Sequence, residues 1–543
     1  MSRRAEEFLP GPPDLRSLFK WPDQVTNSLT HVERMNLDEL LARRIEVYSD
    51  YSGLDSYRHA LGQVQISYNT TFPGKWPKSA VEFSRACDND ATCQKVLIAT
   101  SREMDKSSSC VFVDICDRLS PGAARFVEAC VPAEDLSQQE KMEAYQSMMS
   151  WLIDNRAWAY STVSRCLVHE GDCFVHPAFA SPSMNPNPSD DGTSAAKRRK
   201  ILSRQDHSPG PDAPTSPMRY DGLSGPLYVN TSGMTCVGWS TVGTHAAHAH
   251  NSEKANNILL CERRHFAELG VEHAFFGECT VHFPVAKLEK ALHNTHILLS
   301  ITCGPELLGW PVKRPRMLCV GLSRKYLKWV GGDDWPDRFR EKYFRSCVVP
   351  GSILLSDSAA ARWRLYQELA LIQGNRMTED ELQALSKEEF LEAMLPSYQL
   401  TIRKRYHKLQ AEHSSLGGCF IADIEQNPST GASASADVPC LLTHGTLMLF
   451  EELGLGSPLG SNERPTIFTA LEHLTCQGCH LSESTTSDFP ALAIAGILNG
   501  LSPRVIKKLA GNAVHFHMVA AWMMFVLSNV KRIPQGASDA GAD

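Results

Sequence analysis

The chain has 543 residues, 43% hydrophobic and 21% charged, with a formal net charge of −7. That length allows roughly two or three domains, or one large domain with insertions, and the composition is ordinary for a globular protein. The acidic balance excludes a global polycationic surface, so any nucleic-acid contact must be a local basic patch. The 17 cysteines are odd in number and follow no framework spacing, which reads as reduced thiols of an intracellular protein. The start, MSRRAEEFLPGPPDLR, lacks the apolar core of a signal peptide. The longest apolar run, MVAAWMMFVL (Met518 to Leu527), is too short to span a bilayer, and no membrane partner is expected.

Residues 1–40 read as an N-terminal extension. In RRIEVYSDYSGLDSYRHAL an extended apolar run (Ile45, Val47) turns through Ser52-Gly53 into a helical pattern ending at Ala60-Leu61. Strand, glycine turn and helix N-terminus together receive charged or polar ligands. In SRACDNDATCQKVLIAT, Asp88 and Asp90 precede a helical segment. An acid at the end of the second strand of a nucleotide-type fold bonds ribose hydroxyls, and an acid there serves equally as a helix N-cap. SSCVFVDICDRL is a strand (Val111, Phe112, Val113) terminating at Asp114.

A helix follows in QQEKMEAYQSMMSWLIDNRAWAY, where Met142, Tyr145, Met149 and Leu152 recur at three- and four-residue spacing and read as core packing. From Ser181 to Leu223 the chain is rich in Pro, Ser, Asp and Gly, which predicts a disordered linker. Its Lys197-Arg198-Arg199-Lys200 cluster reads as a nuclear-localisation signal or a solvated charge run. PLYVNTSGMTCVGWS is a strand running into the loop that holds Cys236, and VEHAFFGECTVHF is an apolar strand ending at Glu278. Beyond Arg345, Thr378 with Glu381 and Ser386 with Glu389 look like capping boxes in a helical, charged region reaching about His413. There is no internal repeat.

Cys236 alone is ambiguous, because a free cysteine usually packs as a small hydrophobe. Its company is more specific. In open α/β sheets ligands bind outside the carboxyl ends of the strands, so Gly53, Asp88, Asp114, Cys236 and Glu278 should converge on one crevice. The series resembles the cytosine-C5 DNA methyltransferases, motif by motif and in order. YSDYSGLDS is similar to that family's S-adenosylmethionine loop, with Tyr51, Ser52, Gly53 and Leu54 as cofactor-binding residues. ACDND resembles the second motif, with Asp88 as the ribose-binding acid, and VDI the third, with Asp114 and Ile115 near the adenine. MTCVGWS resembles the nucleophile loop around Cys236, and GECT the motif whose acid is Glu278. LGWPVKRPRMLCVGL resembles the motif carrying Arg314 and Arg316. ERPTIFTALEHLTCQGC (Arg464, Glu472, Gln477, Gly478) resembles the motif that organises target recognition. LAGNAVHFHMVAAW resembles the last motif, with Gly511, Asn512, Ala513 and Val514 returning to the cofactor.

The resemblance implies a Rossmann-like α/β fold with a mixed, mostly parallel sheet and a smaller target-recognition domain. It implies a catalytic domain at 41–322, interrupted at about 135–225 by the inserted helix and linker, and a target-recognition region at 323–488. A segment at 489–530 returns to the catalytic domain and 531–543 is a tail. The implied activity is methyl transfer from S-adenosylmethionine to C5 of cytosine in double-stranded DNA. Cytosine C5 is a poor nucleophile until a covalent bond at C6 makes the ring an enamine. A thiolate suits that attack, the role implied for Cys236. A carboxylic acid protonates or hydrogen-bonds N3, the role implied for Glu278, with Arg316 on O2 and Arg314 beside it. The cofactor carries the methyl group, so no metal is assigned. The base must leave the duplex to react, and KRPR and IRKRYHK (Arg403, Lys404, Arg405, Lys408) are expected to hold phosphates.

The chain departs from the family at several places. Asp55 stands where the cofactor loop has a second glycine, either crowding the cofactor's carboxylate or capping the helix. Thr235 and Val237 replace the proline and glutamine around the nucleophile, Cys279-Thr280 the Asn-Val pair after the acid, and Val312 the glutamine before the arginines. A catalytically silent relative that binds cofactor or DNA is therefore one rival reading. RNA methylation by the same chemistry is another, since the basic stretches do not separate RNA from DNA. A third is zinc binding by Cys476 and Cys479 with His473 and His480, or by His245, His248 and His250. A single Cys-x-x-Cys without a partner pair is a weak zinc signal.

Overall fold

All six residues of the strand Ile45–Asp50 (β1) are buried, the mark of a parallel strand covered on both faces. In the computed structural model, which describes residues 8–104, 109–179, 225–240, 246–412, 419–430, 434–450, 466–481, 492 and 494–534, β1 is the centre of a nine-stranded sheet. The other strands are β2 (Val81–Cys87), β3 (Cys110–Phe112), β4 (Val163–Cys166), β5 (Gly171–Phe174), β6 (Leu227–Gly233), β7 (Ala274–Thr280), β8 (His296–Cys303) and β9 (Arg316–Ser323). Their order is β5-β4-β3-β2-β1-β6-β7-β9-β8. The run β3-β2-β1-β6-β7 is parallel. β9 is antiparallel to both β7 and β8, and the β4–β5 hairpin adds antiparallel to β3. This is the mixed, mostly parallel α/β sheet expected. Its order reverses between β1 and β6, which makes their carboxyl ends the binding crevice.

Alternation along the strands feeds two cores. Phe276 and Leu318 join the core that holds the helices Ser56–Thr71 and Phe516–Ser528. Their neighbours Phe275 and Cys319 join the opposite core, which holds the helices Gln138–Asp154 and Glu253–Leu269. Tyr145, Met149 and Leu152 of the predicted stripe are thus core, whereas Met142 is only half-buried at its edge, and the helix begins at a capping box between Ser137 and Glu140. Between β1 and the helix Glu253–Leu269 lies a buried ionic cluster. Asp50 pairs with Arg85 at 3.2 Å and with Arg118, accepts from Asn230 Nδ2 at 2.8 Å, and faces Arg263 at 3.7 Å. Glu262 and Glu272 complete it through Arg118 and Arg263. Buried charges persist only when paired.

Several expected boundaries move. Residues before 41 form helices that belong to the main core: Trp21–Asn27 packs on Ser56–Thr71 and on Phe516–Ser528, and Asn36 Nδ2 donates to the Ser528 carbonyl at 3.0 Å. Residues 323–354, expected in the smaller domain, also join the large core through Leu327, Phe339, Tyr343, Phe344 and Leu354. That core also takes in Val438 and Leu441 and, from Phe468 on, residues well before 489. The smaller unit is the helices between Ala359 and Glu412 over a sheet of β11 (Phe420–Asp423), β12 (Leu447–Phe450) and β13 (Thr466–Ile467). Its capping boxes at Thr378 and Ser386 form as read. The sheet is a shared wall: Phe420, Ala422, Met448 and Phe450 face the helices, while Ile421, Leu447 and Leu449 face the large core.

The run Pro503–Ser528 is long and apolar enough to cross a membrane, and 89% of its most apolar window is buried in the protein. β14 (Val530–Arg532), reaching into the expected tail, pairs with β10 (Leu327–Trp329). The predicted linker with Lys197-Arg198-Arg199-Lys200, together with His245 and Arg464, lies outside the described residues.

Candidate active site

The loop after β1 carries Tyr51 and Gly53 at positive φ, 51° and 53°. A side chain at 53 would be strained in that backbone, and its Cβ would stand 3.5 Å from the Asn512 carbonyl oxygen. The Gly53 N–H donates to Asp88 Oδ2 at 2.8 Å, and the Asp90 N–H donates to Asp88 Oδ1 at 2.9 Å. Burial raises the Asp88 carboxyl above its usual range against those bonds. Ser52 closes the same turn, its N–H donating to the Cys87 carbonyl at 3.0 Å. Asp114 caps the turn that follows β3, accepting from the Cys116 N–H at 2.9 Å, and Ile115 beside it is buried. Leu54 points into the core, leaving only its backbone for a ligand.

The last motif does return to this loop. The Val514 N–H donates to Ser56 Oγ at 3.1 Å. Gly511 packs so closely that a Cβ would stand 2.5 Å from the Thr443 nitrogen. Asp55 pairs with Arg58 Nε at 2.9 Å, both side chains buried. It stands at the helix start with a φ of 57°, in the left-handed region that glycine favours, and its side chain makes no cap bond to the helix. Two buried hydroxyls beside the loop, Tyr51 Oη and Ser232 Oγ, have no hydrogen-bond partner among the described residues. Orphaned groups of this kind cost about 1–3 kcal/mol each.

Cys236 follows β6 and precedes a short turn, Val237–Trp239. Asn256 holds the residue before Cys236 on both sides. Asn256 Oδ1 accepts from the Thr235 N–H at 3.2 Å and its Nδ2 donates to the Thr235 carbonyl at 3.0 Å. The far side is held through Glu253, which accepts from Trp239 Nε1 at 3.2 Å and from Lys287 Nζ at 2.5 Å. Neither Asn256 nor Glu253 carries a sequence signal, because both lie on the helix after the loop and act only through its folding back.

Glu278 lies within β7, its backbone opposite Gly233. β9 runs antiparallel, so its first residue, Arg316, arrives beside the end of β7, opposite Thr280. Arg316 Nε reaches Glu278 Oε1 at 2.8 Å, and its Nη2 faces Cys440 Sγ at 3.8 Å. Burial raises the Cys236 thiol, helped by the Glu278 charge and opposed by Arg316 and Arg314. Cys440 is also raised by burial, but Arg314 and Arg316 outweigh that and lower it. The cleft therefore holds a second thiol, from a stretch the sequence marked only as variable.

Arg314 is placed otherwise than expected. It is buried, and its guanidinium donates to the carbonyls of Leu441 (3.2 Å), Gly511 (2.9 Å) and Ala513 (2.8 Å). It holds the Gly511–Ala513 segment beside the glycine loop instead of reaching into the cleft. Of the KRPR stretch, Arg314 and Arg316 turn inward, away from any phosphate, while the exposed Lys313 pairs with Asp437 at 3.4 Å. In IRKRYHK, by contrast, Lys404, Arg405 and Lys408 are exposed on the helix Ser397–Glu412. Of the target-recognition motif, Glu472 ties both ends of the small unit, accepting from the Asp357 N–H at 3.0 Å, Arg362 Nη2 at 2.7 Å and the Thr469 N–H at 2.8 Å. Gln477 donates to the Ala510 carbonyl at 2.8 Å. Cys476, Cys479 and His473 are buried in the large core, and they do not belong to any metal-type cluster among the described residues.

No protein-family model matches the chain. No curated protein matches it in sequence. Among solved structures it is similar to the Entamoeba histolytica methyltransferase EhMeth, with a TM-score of 0.39 and 10% identity over 89% of this chain and 98% of that chain. It is similar also to the S. pombe Dnmt2 methyltransferase, with a TM-score of 0.36 and 11% identity over 89% of this chain and 98% of that one. The functional reading rests on the cleft's own residues.

Proposed function

We propose that the chain is an S-adenosylmethionine-dependent DNA (cytosine-5)-methyltransferase, acting on double-stranded DNA in the nucleus. One observation carries this reading: Cys236, Glu278 and Arg316 converge at the carboxyl ends of β6 and β7, beside the glycine loop at the reversal of strand order. Tyr51, Ser52, Gly53, Asp88, Asp114 and Ile115, with Asn512 to Val514, would hold the cofactor. Bound there, it supplies an electrophilic methyl group on a sulfonium.

The chain's own part is to make C5 nucleophilic. The Cys236 thiolate adds to C6 of a flipped-out cytosine, forming the S–C6 bond. The C5=C6 pair moves to C4=C5 as N3 takes a proton from Glu278, leaving an enamine. Arg316, held on Glu278 Oε1, keeps the acid oriented and offers its remaining N–H groups to developing charge. After methylation C4=N3 re-forms as N3 returns its proton to Glu278, a solvent water takes the C5 proton, C5=C6 re-forms and Cys236 is expelled as the thiolate. Lys404, Arg405 and Lys408 would meet phosphates as local positive charge on an otherwise acidic chain. The Lys197-Arg198-Arg199-Lys200 cluster supports the nuclear assignment.

The test is transfer of a labelled methyl group from S-adenosylmethionine to cytosine-containing duplex DNA, with matched RNA alongside. Wild-type protein should label DNA, and Cys236→Ala should lose activity by on the order of 10³-fold or more. Labelling that survives in Cys236→Ala removes the assigned nucleophile. Labelling of RNA alone moves the substrate, and binding of cofactor without any transfer selects a silent relative.

A further inference from the structure

At the hairpin edge of the sheet, three cysteines and a histidine meet. The Sγ atoms of Cys110, Cys166 and Cys173 and a ring nitrogen of His169 all lie within 4.8 Å of one another. His169 Nδ1 is 3.6 Å from Cys110 Sγ, 3.4 Å from Cys166 Sγ and 3.3 Å from Cys173 Sγ. Cys110 opens β3, Cys166 ends β4, and Cys173 lies in β5. His169 sits in the turn between those last two strands, next to Glu170 at a φ of 53°. That turn folds the imidazole back over the hairpin. The Leu167 N–H donates to the Val111 carbonyl at 2.8 Å, which brings the turn onto β3.

Hydrogen bonding does not account for this arrangement. A single Nδ1 carries either one hydrogen or one lone pair, so it serves one thiol and not three. A cation at the centre satisfies all four atoms. Zinc bonds of about 2.3 Å to sulfur and about 2.0–2.1 Å to nitrogen at tetrahedral angles put sulfur and nitrogen roughly 3.5 Å apart. The observed separations, 3.3–3.6 Å, bracket that edge length. Soft thiolates with one imidazole in a tetrahedron select zinc over the hard cations. Four protein ligands leave no open position for a substrate, which distinguishes a structural site from a catalytic one.

We propose that Cys110, Cys166, His169 and Cys173 form a structural zinc site that staples the β4–β5 hairpin to β3. The need for a staple is local. β3 has three residues, and the two hairpin strands have four each. The hairpin is the sheet's outer edge, and short edge strands are weakly held. The site corrects the expectation that the chain holds no metal, and it differs from the zinc alternatives at Cys476–His480 and His245–His250. It bears on the cleft only indirectly, since β3 leads to Asp114 four residues after Cys110. It does not depend on the methyltransferase reading.

The experiment is metal analysis of the full chain, expressed with zinc supplied and purified under reducing conditions, with X-ray absorption at the zinc edge. Wild-type protein should carry about one zinc per chain, and the absorption spectrum should fit three sulfurs and one nitrogen. The Cys166→Ser/Cys173→Ser double variant should lose the metal, His169→Cys should retain it as a four-sulfur site, and Cys419→Ser, at an exposed cysteine, should be unchanged. Folded wild-type protein with less than about a tenth of a zinc per chain overturns the proposal. So does iron at full occupancy, or a spectrum of two sulfurs and two nitrogens. The spectrum reads the ligand set directly, so the proposal stays testable if the double variant does not fold.

Discussion

Two thiol-rich regions sit on the same sheet. Cys236 lies past the carboxyl end of β6, while Cys110 opens β3 level with Arg85 of β2, beside the edge hairpin. In the first region the thiols of Cys236 and Cys440 share Glu278 and two arginines, so charge decides which thiol ionises. In the second region three sulfurs surround one imidazole and no guanidinium touches them among the contacts described. A cysteine's chemistry is thus set by the groups that face it: arginine and carboxylate on one side make a reactive site, whereas convergent soft ligands make a closed one.

The sharpest way to break the comparison is at the carboxylate. Glu278→Gln keeps the shape but removes the proton that N3 needs. Methyl transfer should fall by about 10²–10³-fold while zinc content stays unchanged. A variant with full activity would show that Glu278 is only a partner for Arg316. Next is Arg314→Met, which strips three buried carbonyls of their donor. Denaturant unfolding should show a loss of about 3 kcal/mol, and isothermal titration should show weaker cofactor binding. The opposite pattern, intact stability with activity abolished, would return Arg314 to the reacting groups.

The smallest effect tests the shared-charge idea itself. Arg314 and Arg316 lower the Cys440 thiol, and charge on Cys440 raises that of Cys236. Cys440→Ser removes that ionisable group and leaves both arginines to favour the Cys236 thiolate. The pH profile of Cys236 alkylation by iodoacetamide should therefore move to lower pH, with a several-fold faster rate at neutral pH. An unchanged profile would separate the two thiols electrostatically.

Much of the site was legible because strands announce their ends. Asp88, Asp114, Cys236 and Glu278 each close or follow an apolar run, and the sheet gathers such ends on one side. The small unit's limits were not legible, because Leu327 and Phe339 look equally apolar whichever core they enter. The basic string KRPR misled for a related reason, since a sequence does not say that two arginines turn inward onto carbonyls and a carboxylate. The zinc ligands were missed because Cys110 lies far in sequence from the Cys166-x-x-His169-x-x-x-Cys173 hairpin, and only the β3–β4 pairing unites them.

Arg314 and Arg316 are separated by a single proline. One grips the cradle wall at Gly511 and Ala513 together with Leu441, and the other grips Glu278 and Cys440. The connector therefore touches three bodies at once: the segment beside the glycine loop, the acid of the cleft, and the strap that leads into the small unit. If a ligand on the small unit shifts Cys440-Leu441, the affinity of the cradle changes by some factor, and filling the cradle changes the affinity of the small unit by that same factor.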